Sequence, residues 1–245
     1  MFAARSITQS RKIVKRLVGA ILAFLIAVPG LQAQPASGDA QKFIALTFDD
    51  GPDAEATPAL LDVLKEHKAK PTFFFTGDRI AGNGEIVSRI NAEGHELGNH
   101  TMSHARLTGL DGDERRAEIE GANAVLRQVT GKTPKVFRPP FSALDAEAIE
   151  MLRANGLAMA LFTIDPGDSR AGATAADVSA RIVSEAEDGD IVFLHDTIQL
   201  SVEATSMALG DLAAKGFRFV TVSELIARRD APTPGGVYRN GYVAE

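Results

Sequence analysis

Phe43-Ile44-Ala45-Leu46-Thr47-Phe48-Asp49-Asp50-Gly51-Pro52 is the stretch on which the fold turns. An apolar run of this length, closed by a turn signal, reads as a buried strand over 43–48 that Gly51-Pro52 ends. A helical pattern follows over 57–67, and the same alternation then repeats along the chain. Strands are expected over 72–75, 96–98, 136–137, 158–164, 191–194 and 217–220. The helices between them are expected over 85–92, 111–129, 145–155, 175–186 and 203–214, with a last one over 221–229. Gly94, Gly131 and Gly156 stand where helix C-caps are needed. Repeated strand–helix units of this kind build a parallel sheet covered by helices, either closed as a barrel or open.

The residues behind the strands decide between the two. Asp49-Asp50, His100, Arg138, Asp165 and His195 each fall just after an expected strand. In a (β/α) barrel the C-terminal strand ends converge on one mouth, and several of them contribute chemistry. An open sheet gathers its ligands mainly at one switch point. The expectation is therefore an α/β fold, an incomplete or distorted (β/α) barrel with about seven parallel strands.

The chain has no cysteine, so any metal must be held by His, Asp or Glu. His100 and His104 stand four apart; on a helical turn both project from one face and can grip one ion. Two histidines and a carboxylate match a catalytic zinc pattern that leaves a position for water. Adjacent carboxylates on a strand point to opposite sides, so Asp49 and Asp50 can serve one centre only where the strand breaks into a turn. Taken alone, Asp-Asp-Gly-Pro reads as an acidic turn, His195 as the cap of a strand and Arg138 as a surface ion pair. His67 and His95 read as structural or exposed.

In combination the motifs resemble a family. Asp49-Asp50-Gly51-Pro52, His100-x-x-x-His104, Arg138-Pro139-Pro140-Phe141, Asp165-Pro166-Gly167-Asp168 and Leu194-His195-Asp196 follow the order seen in the polysaccharide deacetylases. These are the NodB-homology group, carbohydrate esterase family 4, and the resemblance covers residues 42–228. It implies that Asp49 is the general base, that Asp50, His100 and His104 are metal ligands, and that Arg138 holds the base. It implies that His195 is the general acid, oriented by Asp168, and that Phe141 offers its backbone N–H to an oxyanion. Asp165 belongs to the same fourth motif and is expected on the substrate side. The implied metal is Zn2+, with Co2+ or another divalent ion as the alternative.

The implied activity is metal-dependent removal of N-acetyl groups from an N-acetylated sugar, an oligo- or polysaccharide of peptidoglycan or chitin type. An O-acetyl esterase of the acetylxylan kind on the same scaffold is the first alternative, and a non-catalytic glycan-binding module the second. Three of the motifs depart from the family's pattern. Ser169 stands where the fourth motif often has Trp, Phe141-Ser142 replaces Tyr-Gly, and Phe193 replaces Leu; the chain has no Trp at all. A backbone N–H survives a Tyr-to-Phe change, but the aromatic walls that stack on sugar rings are altered. Short or differently shaped glycans suit this chain better than long chitin-like polymers.

Composition and termini complete the reading. Arg5, Arg11, Lys12, Lys15 and Arg16 precede an apolar run over 17–28 and Leu31-Gln32-Ala33, the layout of a secretory signal over 1–33. A small polar linker is expected over 34–41, a catalytic domain over 42–230 and a flexible Pro/Gly-rich tail over 231–245. Loss of 1–33 removes five basic residues and no acidic one, taking the formal charge from −6 to −11. So acidic a protein is a poor partner for nucleic acid, and a carbohydrate substrate fits better. The mature chain is expected to be periplasmic or secreted, with no stable membrane span.

Overall fold

The computed structural model describes residues 41–229 and 232–241. The signal segment, and the linker up to residue 40, lie outside the described residues. Strand β1 (Lys42–Asp49) is the central element, and all but the first two of its residues are buried. β2 (Thr72–Phe75) pairs with it in parallel, setting Asp49 opposite Phe74. β3 (Glu96–Asn99), β4 (Val136–Phe137) and β5 (Ala158–Ala160) follow in order, and β6 (Ile191–His195) flanks β1 on its other side. The register of β1 on β6 sets Asp49 opposite His195. β7 (Phe217–Phe219) pairs with the first residues of β1, Lys42 to Ile44.

The sheet curls until it nearly meets itself. The sequence predicts one strand over 158–164, but β5 ends at Ala160. Beyond it the chain swings across to β6, where Ile164 bridges Val192 and accepts from the Phe193 N–H at 2.9 Å. That change of partner brings the chain beyond β5 against β6 and is why the strand is shorter than its apolar run. The tail also differs from expectation. Within 231–245, β8 (Val237–Tyr238) pairs in parallel with β5, and Tyr238 is 1% exposed. β5 would otherwise leave an unpaired edge on that side, a row of backbone groups that the tail satisfies.

The helices obey local rules. α1 (Ala56–Glu66) buries Leu60, Leu61 and Leu64 against the sheet. Two shorter helices, α2 (Gly77–Gly82) and α3 (Gly84–Ala92), follow β2. α4 (Gly112–Thr130) opens on a capping box between Asp111 and Glu114 and closes at Gly131, whose φ is 70°. α5 (Ala146–Ala154), α6 (Ala175–Glu185), α7 (Gln199–Ala214) and α8 (Val222–Ala227) complete the outer layer. Phe48, Phe73 and Phe75 lie fully buried in the main core between sheet and helices. Among the described residues no helix is long and apolar enough to cross a membrane.

Candidate active site

β1 ends on Asp49, and the next residue leaves the strand. Asp50 has φ 69°, a left-handed value rare for a non-glycine residue. That break lets two adjacent carboxylates serve neighbouring positions instead of opposite faces. Gly51 then passes so close to Asp196 that a Cβ there would fall 2.1 Å from Asp196 Oδ1. Only glycine fits.

The two carboxylates are held differently. Asp49 is 3% exposed and accepts from Arg138 Nη1 at 2.8 Å. Arg138, on the residue after β4, is 2% exposed. It also donates to Thr47 Oγ1 at 2.7 Å and to the carbonyls of Ala160 and Leu161 at 3.1 Å each. Its guanidinium lies 4.3 Å from the centre of the Phe74 ring, a cation–π contact in a desolvated place. Gly98 makes room for that ring, since a Cβ there would meet Phe74 Cε1 at 2.4 Å. So the arginine is not the surface ion pair that its neighbours in sequence suggest. It is the buried clamp of Asp49.

Asp50 points to the histidines. Its Oδ1 lies 3.5 Å from His100 Nε2 and 3.3 Å from His104 Nε2, and is buried with no hydrogen-bond partner. His100 Nδ1 is 2.7 Å from the Arg138 carbonyl oxygen. A carbonyl can only accept, so Nδ1 carries the proton and Nε2 presents its lone pair to Asp50. Burial holds His104 below its ordinary pKa against the pull of Asp50, which keeps that imidazole in the neutral form a ligand needs. Asp50, His100 and His104 offer ligand atoms within 4.8 Å of one another. An orphaned carboxylate oxygen facing two imidazole nitrogens is a donor set that fits a divalent cation.

The spacing of the histidines works otherwise than expected. Residues 100–104 form a loop and not a helical turn, and Thr101 and His104 have φ 68° and 64°. His104 is turned inward by that backbone, and its ring meets Phe141 edge-on at 4.8 Å.

His195 closes the far wall at the end of β6. Its Nδ1 is 3.1 Å from Asp168 Oδ1, and its backbone N–H donates to Asp168 Oδ2 at 2.8 Å. Ser201 Oγ donates to the same carboxylate at 2.7 Å. Burial would push the His195 pKa down, but the Asp168 hydrogen bond and charge outweigh it and the pKa is raised. Burial would raise Asp168; its bonds from His195 and Ser201 hold it below the ordinary carboxylate value. His195 Nε2 faces Asp50 Oδ2 at 3.9 Å.

These groups share a cleft of about 350 Å³ with Phe141, Phe162 and Phe193. Phe162 and Phe193 stack at 4.5 Å, and Phe193 meets the His195 ring edge-on at 4.7 Å. Of the nine expected site residues, Asp49, Asp50, His100, His104, Arg138, Phe141 and His195 line the cleft, and Asp168 stands directly behind His195. Asp165 does not join them. It accepts from the Gly167 N–H at 2.9 Å and from Arg170 Nη2 at 2.9 Å, shaping the turn that carries Asp168.

Several supporting residues carry no signal in the sequence. Glu118 and Asn123 on α4 read as ordinary polar positions of a long helix, yet they bond the histidine loop and Asn99. Asp196 accepts from Thr57 Oγ1 while its Oδ1 has no partner, and burial pushes its pKa up to about 7.

A barrel mouth with one cation-sized donor set, flanked by an arginine-clamped carboxylate and a carboxylate-paired imidazole, is an arrangement suited to metal-assisted hydrolysis. Residues 36–160 match the polysaccharide deacetylase family model. The chain is 35% identical over 186 residues to a peptidoglycan-N-acetylglucosamine deacetylase of Bacillus cereus, covering 74% of this chain and 67% of that one. It is also 35% identical over 187 residues to the peptidoglycan-N-acetylmuramic acid deacetylase PdaC of Bacillus subtilis. That match covers 76% of this chain but 39% of PdaC, which is much the longer protein. Among solved structures, a family 4 acetyl xylan esterase from Clostridium thermocellum in complex with a cobalt ion has a TM-score of 0.76. It is 32% identical, over 81% of this chain and 98% of that one. The chain belongs to the polysaccharide deacetylase family and is an enzyme.

Proposed function

We propose that this enzyme removes N-acetyl groups from a short N-acetylated glycan of peptidoglycan or chitin type, with Asp49 as general base and His195 as general acid. The supporting observation is the division of labour between Asp49 and Asp50: one oxygen of Asp49 is taken by Arg138, and Asp50 Oδ1 is free to ligate. Asp50, His100 and His104 hold the ion, Zn2+ first and Co2+ next, as the cobalt-bound relative suggests. A divalent ion there would supply Lewis-acid polarisation of the acyl oxygen and would lower the pKa of a water it binds to about 7.

Everything else falls to the chain itself. Arg138 neutralises and orients Asp49 so that its second oxygen, Oδ2, can take a proton from the attacking water. The Phe141 N–H donates to the oxyanion as it forms. His195 Nε2 gives a proton to the departing amine, and Asp168 keeps that imidazole charged until it does. An amine is a poor leaving group without such an acid and an alcohol less so; the raised His195 therefore favours the amide over the ester. The Phe162–Phe193 stack makes the wall beside the acid, and Phe193 stands where the family often has Leu. Asp165 is left to turn geometry. Export to the periplasm or the outside belongs to the same reading, since such a glycan lies there and residues 1–33 have a signal's layout.

The test is acetate release from peptidoglycan fragments, N-acetylglucosamine oligomers and acetylxylan, for the wild type and Asp49→Asn. Amide substrates should turn over, and the variant should lose about 10²- to 10⁴-fold in rate with its metal content unchanged. Release from acetylxylan alone would replace the reading with an esterase, and binding without release with a glycan-binding module.

A further inference from the structure

We propose that Glu118 on α4 is a positioning residue that sets the affinity of the metal site, by holding loop 100–104 in the shape that aims its histidines. The inference rests on Asp50, His100 and His104 being metal ligands. The loop needs holding. It belongs to no helix or strand, and both Thr101 and His104 sit in the left-handed region, which costs a residue with a Cβ free energy. The inward direction of the His104 side chain depends on that backbone.

Glu118 supplies the hold. Its Oε2 accepts from the N–H groups of Met102 and Ser103 at 2.9 Å each, and its Oε1 accepts from Ser103 Oγ at 2.7 Å. One carboxylate thus grips the middle of the loop, between the two ligands. Five residues further along the same helix, Asn123 Oδ1 accepts from Asn99 Nδ2 at 2.8 Å, and Asn99 Oδ1 in turn accepts from the Thr101 N–H at 2.8 Å. α4 therefore anchors the loop at two points. The carbonyls of Thr101 and Met102 accept from Gly77 and Asp78 at the start of α2, at 3.0 Å each. None of these groups lies among the ligand atoms themselves. Hydrogen-bonding partners outside the coordination sphere commonly change metal affinity by about 10- to 100-fold when removed.

Zinc dissociation constants measured by chelator competition on the full chain test this. Glu118→Ala should weaken zinc by about 10- to 100-fold. Glu118→Gln should recover most of the loss, because an amide oxygen can still accept from both N–H groups. Glu120→Ala, an exposed acidic neighbour on the same helix, should bind as the wild type does. Where Glu118→Ala does not fold, Ser103→Ala removes the Oε1 bond alone and should weaken zinc by a smaller factor. Equal affinities in wild type, Glu118→Ala and Ser103→Ala would overturn the assignment. A wild type that binds no zinc or cobalt would instead overturn the ligand reading beneath it.

Discussion

Under the proposed roles, Asp168 and His195 set the pH range of activity. His195 acts as an acid only while protonated, and Asp168 holds its pKa above the ordinary imidazole value. Activity that depends on it is therefore present at lower pH and lost as pH rises through that raised value. In Asp168→Asn the charge is gone, so the alkaline limb of kcat/KM should move down by about one unit or more. A pH–rate profile of the two proteins measures this, and an unmoved limb would remove Asp168 as the partner of the acid. The fourth motif offers two aspartates, and the resemblance points to Asp168 as the one that orients the histidine. Asp165 pairs with Arg170; Asp168 pairs with His195. The places of Asp49, Asp50, His100, Arg138 and His195 in the cleft were legible because each is a reactive residue type at or just after a strand end, and that of His104 from its spacing to His100. Glu118 was not, because a glutamate in a helix looks the same whether it faces water or a loop distant in sequence.

At the scale of elements, the strands and helices followed their patterns, and the exceptions are places where one segment depends on another. β5 is shortened because the chain beyond it turns to β6. β8 was invisible because its two residues lie in a Pro/Gly-rich stretch with no periodicity. It is nonetheless pinned: the Met159 N–H donates to the Gly236 carbonyl at 2.8 Å, and the Leu161 N–H to that of Tyr238 at 2.7 Å. Tyr238→Ala empties a site that is 1% exposed and should cost about 3–5 kcal/mol, as deleting a buried aromatic does. Urea unfolding reads this as a lower midpoint. A midpoint within error of the wild type would mean that the tail adds nothing to the sheet.

For the whole molecule, His95 makes stability depend on pH far from the cleft. Its side chain is 1% exposed, with Nε2 3.6 Å from Glu93 Oε2, and neither ring nitrogen has a hydrogen-bond partner. Burial and the nearby Lys70 push its pKa down to about 4. The unfolded chain, with an ordinary imidazole near 6.5, takes up the proton first as pH falls. This contribution is therefore intact above about pH 6.5 and is lost between there and about 4, roughly 3 kcal/mol at most. In His95→Phe, whose ring can keep the edge contact with Phe73, the urea midpoint should fall less between pH 7.5 and pH 5. Equal falls in both proteins would clear His95 of the effect. The amino-acid sequence by itself determined the strand–helix rhythm, the barrel class and the reactive residues behind the strands, because these rest on local periodicity and on residue chemistry. Only the tertiary structure decided how a loop aims His104, which helix holds that loop and where the tail pairs. Those depend on groups distant in sequence meeting within hydrogen-bond reach, and no local pattern carries that.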